Sequence, residues 1–284
     1  MTKIHPKPQL IACDYDGTLA NGLGKITERT KAALNLAHEQ GCILALVTGR
    51  SASMIPAEVN SLPFDFIITA NGARIKDMST GFYLAVATLK KETTLKILDI
   101  LERHFPLSTN IYLNGQSVYN TGSLKTLKAS AQGSCIQMLA GMFYFLNQAR
   151  FSRNLRKLAE RTFEPIEKIG CYFKTKEACQ KTLQAVRICE VEALTTHGND
   201  LEITAKGVTK GWALVTLCNM LGIPKEAVIA FGDSGNDLSM VNVAGCFLAP
   251  ANATPDVLAA ATYVIPSVAE NGVATALEEL YGWE

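Results

Sequence analysis

The sequence predicts an α/β fold: a parallel sheet with helices on both faces, interrupted by an inserted α/β segment. Three observations carry this. Short apolar runs of strand length alternate with helical spacing at the start of the chain, and the same alternation returns near its end. The stretch between them differs in texture and in charge. Residues 86–200 hold 16 Lys/Arg against 10 Asp/Glu, whereas the remainder holds 11 against 16. A basic segment inside an acidic frame points to two domains with different tasks, residues 1–85 and 201–284 forming one and residues 86–200 the other. The 284 residues, 48% hydrophobic and 19% charged, suit globular cores rather than disorder.

Taken in order, Leu10-Ile11-Ala12-Cys13 is a buried strand that gives way to Asp14-Tyr15-Asp16-Gly17-Thr18-Leu19. Thr27 to Gln40 has helical spacing, with Thr27 as its N-cap and Gly41 as its stop. Ile43 to Val47 is a second strand ending at Thr48-Gly49-Arg50, and Ser51 is placed to cap a helix after it. Phe64 to Thr69 is a third strand, closing at Ala70-Asn71-Gly72. In the insert, Lys90 to His104 reads as a helix and Asn110 to Tyr119 as a hairpin about Asn114-Gly115. Residues 124–165 predict one or two helices, and Asp200 to Thr204 resembles a last strand of the inserted unit. Thr209 to Leu221 is then a helix ended by Gly222 and Pro224, and Ala227 to Phe231 a buried strand leading into Gly232-Asp233. Cys246–Leu248 and Tyr263–Ile265 are further short strands.

Open parallel sheets bind ligands beyond the C-terminal ends of their strands. Three of the predicted strands end there in Asp14/Asp16, Thr48-Gly49 and Gly232-Asp233. Carboxylates gathered from Asp14, Asp16, Asp233 and Asp237 repel one another unless a proton or a cation joins them, and hard oxygen ligands select Mg²⁺. Each group also has a plainer reading. Asp16 and Gly17 are ordinary turn residues, and Asp233 and Asp237 suit a helix cap ahead of Leu238. Lys210 sits at the start of a helix, the wrong end of the dipole for a cation unless an anion is near, but a solvated lysine is common there. Thr48 and the Gly49 amide offer phosphate donors at a strand end; Arg50 offers another, or pairs with a surface acid. Together the groups suit phosphoryl transfer: a carboxylate attacks phosphorus, a second one moves the proton, and Mg²⁺ and lysine offset charge.

These motifs in this order resemble the haloacid dehalogenase superfamily of phosphotransferases, in its Cof-type, sugar-phosphatase branch. The matching stretches are Asp14 to Leu19, Thr48-Gly49-Arg50, Lys210-Gly211 and Gly232 to Asp237. Weaker matches are Ala70 to Ala73, Leu201-Glu202-Ile203 ahead of Gly207 to Lys210, Ala251-Asn252-Ala253 and Glu270 to Ala274. The resemblance implies a Rossmann-like core and an inserted α/β cap over the active site. It makes Asp14 the nucleophile and Asp16 the general acid/base. It gives Mg²⁺ to Asp14, the Asp16 backbone carbonyl and Asp233, with Asp237 in support, and the phosphate to Thr48, Gly49, Lys210 and Asn236. Residues 120–195 match no pattern in it, so the substrate is narrowed only to a small phosphorylated metabolite.

The expected activity is Mg²⁺-dependent hydrolysis of a small organic phosphate monoester through an aspartyl phosphate. Its rivals are a phosphomutase-like transferase and a non-catalytic phosphometabolite sensor. Other signals weigh against further partners. Arg150, Arg153, Arg156, Lys157 and Arg161 read as a solvated helix face rather than a nucleic-acid surface, and His197 as a surface histidine. Eight cysteines, none in a Cys-x-x-Cys pair, read as reduced core residues. The segment Met1 to Pro8 lacks an apolar signal core, and the nonpolar stretch Met138 to Leu146 is too short to span a bilayer. A cytoplasmic protein without membrane partners is the expectation.

Overall fold

A computed structural model describes residues 7–21, 24–122, 147–196 and 198–282. The chain divides into two compact units: Met1–Gly49, Pro56–Ala85 and Thr209–Glu284 form the first, and Arg50–Ile55 with Val86–Val208 the second. The sequence places the insert at 86–200. The second unit also takes in 201–208 and 50–55, because the strand at Asp200–Ala205 is zipped between two strands of the insert, and Ser53 N–H donates to the Gly115 carbonyl at 2.9 Å.

The chain opens with β1 (Leu10–Cys13), α1 (Glu28–Glu39), β2 (Ile43–Val47), β3 (Phe66–Thr69), β4 (Arg74–Asp77) and β5 (Tyr83–Val86). Thr27 caps α1 by accepting from the Thr30 N–H. No α-helix follows Arg50. Two 3₁₀ turns, Ala52–Met54 and Ala57–Ser61, stand there instead: Pro56 disfavours helical backbone at Ile55, which is extended at ψ 125° and ends the first turn. Ser51 makes no cap. Its hydroxyl meets those of Ser117, at 2.8 Å, and Ser53, at 3.2 Å.

The second unit continues with α2 (Lys91–His104), β6 (Ser108–Leu113), β7 (Gln116–Asn120), β8 (Arg150–Ser152), α3 (Leu155–Arg161), β9 (Ile166–Tyr172), α4 (Lys176–Val186), β10 (Val191–Leu194) and β11 (Asp200–Ala205). Of the predicted span 124–165, α3 and β8 are described; residues 123–146 and His197 lie outside the described residues. The six strands run in the order β10-β11-β9-β6-β7-β8. Alternation separates two faces. Ile111, Ile169 and Ile203 stand in register on one face, in a core shared with Ile97 and Leu101 of α2 and Leu183 of α4. The other face carries the registered sets Tyr112, Lys168, Thr204 and Asn110, Gly170, Glu202. There Lys168, 1% exposed, pairs with Glu202 and lies 5.1 Å from the Tyr112 ring centroid.

The first unit closes with α5 (Lys210–Leu221), β12 (Val228–Phe231), α6 (Leu238–Val241), β13 (Cys246–Pro250), α7 (Pro255–Ala260), β14 (Tyr263–Ile265) and α8 (Gly272–Tyr281). Its eight strands run β14-β13-β12-β1-β2-β3-β4-β5. All pairs from β14 to β3 are parallel, and β4 turns back antiparallel on β3. Leu10, Ala12, Ala45 and Val47 pack on the α5 side with Ala213, Leu214 and Leu217, and α1 and α8 pack together. Residues of β1 are buried on both faces, which is why the strand reads as an unbroken apolar run.

Candidate active site

The chain steps from β1 to β2 on one side, and β12 later joins β1 on the other, both parallel to it. The sheet therefore has its switch point at the end of β1. Cys13 is in register with Phe231 and Leu46, so Asp14 and Gly232 leave the sheet at the level of Val47, the last residue of β2. The aspartates of both acidic motifs meet there. One carboxylate oxygen from each of Asp14, Asp233 and Asp237 lies within 4.8 Å of the others, and all three residues are buried.

Lys210 answers this charge. As the first residue of α5, capped by Thr209, it is held with its side chain 1% exposed. Its Nζ donates to Asp14 Oδ1 at 2.5 Å and to Asp237 Oδ1 at 2.7 Å. Burial alone would lower its pKa, but these two carboxylates override it and the net shift is upward. Burial raises the Asp14 pKa well above its ordinary value. Lys210 opposes that shift, while Asp237, Asp233 and Asp16 add to it. Among the described residues, Asp14 Oδ2 takes no hydrogen bond, so this oxygen faces the site without a donor to blunt it.

The remaining geometry is set by small residues and hydroxyls. Thr18 Oγ1 donates to Asp233 Oδ1 at 2.8 Å. Gly17 has φ +81°, and a Cβ there would lie 2.5 Å from Asp233 Oδ2, so both its backbone conformation and its close approach require glycine. Asn252 spans from the Gly17 carbonyl, at 2.8 Å, to the Val268 N–H, at 2.8 Å, and so fixes the turn after β1. Asp237 precedes α6 but does not cap it. Its Oδ2 accepts from the backbone N–H groups of Asp233 and Ser234, both at 3.0 Å.

Asp16 is exposed and stands outside the three-carboxylate group. Thr48 is buried at the end of β2, its N–H bonded to the Ile68 carbonyl, with Gly49 half-buried after it. Arg50 belongs to the second unit and donates to the Met54 carbonyl at 3.1 Å. Asn236 is buried, donating from Nδ2 to Asn71 Oδ1 at 3.2 Å and accepting at Oδ1 from Ser234 Oγ at 2.9 Å. Thr18, Asn71, Ser234 and Asn252 were not among the residues singled out for the site by sequence reasoning. Each lies in a recognisable stretch, but its role depends on contacts as far as 235 residues away.

Hard oxygen donors with a single lysine to offset them fit a small divalent cation such as Mg²⁺. Asp14 and Asp233 could ligate the ion, with Asp237, whose oxygens accept from Lys210 and from the Asp233 and Ser234 N–H groups, in support. The Asp16 side chain lies outside this set, so a part for Asp16 as a ligand falls to its backbone carbonyl.

Known proteins resemble this chain over nearly its whole length. The sequence profile of haloacid dehalogenase-like hydrolases matches residues 11–277. The putative phosphatase YxeH of Bacillus subtilis is 29% identical, with 96% of this chain and 98% of that protein aligned. The 5-amino-6-(5-phospho-D-ribitylamino)uracil phosphatase YwtE of the same organism is 31% identical over 95% of this chain and 97% of its own length. A solved structure of a haloacid dehalogenase-like hydrolase from B. subtilis superposes with a TM-score of 0.86 at 25% identity, covering 96% of this chain and 99% of the other.

Proposed function

Because this chain belongs to the haloacid dehalogenase-like hydrolases and is a phosphatase, we propose that it hydrolyses a small phosphorylated metabolite through an aspartyl phosphate on Asp14. The observation that carries this reading is the buried Lys210 bound to one oxygen of Asp14, which leaves the other as the attacking atom. In the first step Asp14 Oδ2 bonds to phosphorus, the ester P–O bond breaks, and the leaving oxygen takes a proton from Asp16. In the second, Asp16 takes a proton from water, the water oxygen bonds to phosphorus, and the acyl P–O bond breaks to release inorganic phosphate and the Asp14 carboxylate. Thr48, Gly49, Lys210 and Asn236 hold the phosphate oxygens. Mg²⁺ bound by Asp14, Asp233 and the Asp16 carbonyl, with Asp237 in support, supplies positive charge toward the transferring group.

The second unit is proposed as the cap that selects the leaving group. Its polar sheet face supports this: Asn110, Tyr112, Lys168 and Glu202 stand together as donors and acceptors suited to hydroxyl groups. Gly170 makes room for that set, since a Cβ there would lie 2.5 Å from Asn110 Oδ1. The deciding experiment is a phosphate-release screen with added Mg²⁺ over sugar phosphates, polyol phosphates and 5-amino-6-(5-phospho-D-ribitylamino)uracil, the ester named for the 31%-identical relative. Release that stops in Asp14→Asn and on chelation supports the proposal. Absence of release from every ester, aryl phosphates included, would overturn it.

A further inference from the structure

The loop between β3 and β4 passes through three successive residues of positive φ: Ala70 at 52°, Asn71 at 57° and Gly72 at 102°. All three are buried, and two are not glycine. Side chains rarely accept this conformation, and where it persists the surroundings must impose it. Three contacts do so here. The Asn71 N–H donates to the Thr48 carbonyl at 3.1 Å. Gly72 approaches the Thr209 carbonyl so closely that a Cβ would lie 2.2 Å from its oxygen. Asn71 Oδ1 accepts from Asn236 Nδ2 at 3.2 Å. The loop thus touches the end of β2, the residue before Lys210 and the loop after β12, the three segments that carry the proposed phosphate donors.

Two of these contacts involve only the loop's backbone. The third reaches a side chain of the site. The Asn236 amide is held at both ends, its oxygen facing the Ser234 hydroxyl at 2.9 Å and one N–H facing Asn71. Turning that amide over would set oxygen against the Asn71 oxygen and the NH₂ group against the hydroxyl hydrogen. The second Asn236 N–H is left to serve an anion.

We infer that Asn71 is a positioning residue for phosphate binding: its side-chain oxygen fixes the Asn236 amide so that the remaining N–H points to a phosphate oxygen. The inference rests on the phosphatase reading. Asn71 itself touches no reacting atom, and its side chain and its backbone conformation make separable contributions. In Asn71→Ala the acceptor is lost and the strained φ is kept; in Asn71→Gly the acceptor is lost and the strain is relieved.

The test measures inorganic phosphate affinity by calorimetry in the presence of Mg²⁺, and kcat and KM on an aryl phosphate, for wild type, Asn71→Ala, Asn71→Gly, Asn236→Ala and the Asn71→Ala/Asn236→Ala pair. Both Asn71 variants are expected to weaken inorganic phosphate roughly tenfold and to raise KM more than they lower kcat. In the Asn236→Ala background, Asn71→Ala should add almost nothing, since the amide it orients is gone. Wild-type behaviour in Asn71→Gly would show that only the positive φ matters and would overturn the inference, as would full losses that simply multiply in the double variant. Asn71→Gly is also the variant that folds if Asn71→Ala does not. If wild type releases phosphate and Asn71→Gly binds it normally, the inference fails alone. If wild type neither binds inorganic phosphate nor hydrolyses any ester, the phosphatase reading fails and takes the inference with it.

Discussion

The two units use their sheets in opposite ways. In the first, parallel strands buried on both faces hold no chemistry along their length, and the proposed groups stand where elements end or begin: Asp14 after β1, Thr48 after β2, Asp233 after β12 and Lys210 at the start of α5. In the second, the sheet is largely antiparallel and the strands themselves present side chains. An isoleucine row faces the helices, and Lys168, Glu202, Tyr112 and Asn110 occupy the opposite face. A strand-end site reads out as a contiguous motif, since the turn that follows the strand carries several groups at once. A face-borne site reads out as single residues on every second position of distant strands. The first unit should therefore answer mutation with loss of chemistry, and the second with altered preference.

The largest effect tests the first half of this contrast. Asp14→Asn should reduce phosphate release to background on every substrate, because it removes the proposed nucleophile, the buried carboxylate after β1 that Lys210 holds by one oxygen. Asp16→Asn should keep some first-step chemistry on an activated aryl phosphate while slowing hydrolysis roughly 10²–10⁴-fold. Phosphoenzyme on Asp14 should then build up and be visible by intact-protein mass spectrometry after acid quench. Release from Asp14→Asn at the wild-type rate would remove the assigned nucleophile and the contrast with it.

Next in size is Lys210→Met. Removing the ammonium leaves Asp14 and Asp237 buried without their shared partner, a change that costs about 3–5 kcal/mol when a buried pair is broken. Saturating Mg²⁺ should recover part of the lost denaturation midpoint, because a cation between the carboxylates substitutes for some of the missing charge. Equal loss with and without Mg²⁺ would argue that the carboxylates do not form the ion's site.

Glu202→Gln probes the second unit. The lost charge weakens the pairing with Lys168 and changes the acceptor that the polar face offers. On a preferred metabolite ester kcat/KM should fall about tenfold, a value typical of one charge-assisted hydrogen bond, while aryl phosphate turnover should stay within roughly twofold. Uniform loss on both substrates would show that this face supports the fold or the chemistry and does not discriminate among leaving groups.

The sequence made the strand-end half of the contrast plain. Leu10 to Cys13 followed by Asp14, and Ala227 to Phe231 followed within two residues by Asp233, place carboxylates at one edge of a parallel sheet. The lysine at the start of α5 was legible as an electrostatic misfit, and the structure places it against two carboxylates. What could not be read was the support. Nothing local in Asn71 or Asn252 says that one holds the Asn236 amide and the other the Gly17 carbonyl, because tertiary contacts across 165 and 235 residues define those roles. The helix expected after Arg50 failed for a reason that was visible: Pro56 drives the residue before it, Ile55, into extended backbone and stops the turn that follows Ser51. The polar face of the second sheet escaped notice because its members are spaced by alternation and register, Lys168 pairing with Glu202 on a neighbouring strand.

The smallest effect concerns a part of the second unit that the sequence did announce. Asn114 and Gly115 have φ of 49° and 78°, the paired left-handed residues of a two-residue hairpin turn. The turn is tied down at three points: Asn114 N–H donates to the Pro165 carbonyl at 2.8 Å, Gly115 N–H to the buried Glu167 carboxylate at 3.0 Å, and the Gly115 carbonyl accepts from Ser53 at 2.9 Å. Asn114→Ala keeps every one of these backbone bonds and makes the left-handed region harder to enter, since asparagine tolerates it better than alanine. The expected cost is about 0.5–1 kcal/mol of stability, read as a lower urea midpoint with an unchanged slope. Phosphate release on both the metabolite ester and the aryl phosphate should stay near wild type, because the turn lies beyond the ends of the strands that carry the polar face. A selective fall on the metabolite ester, matching Glu202→Gln, would place the hairpin tip among the groups that choose the substrate, and would extend the discriminating surface of the second unit from its strands to its turns.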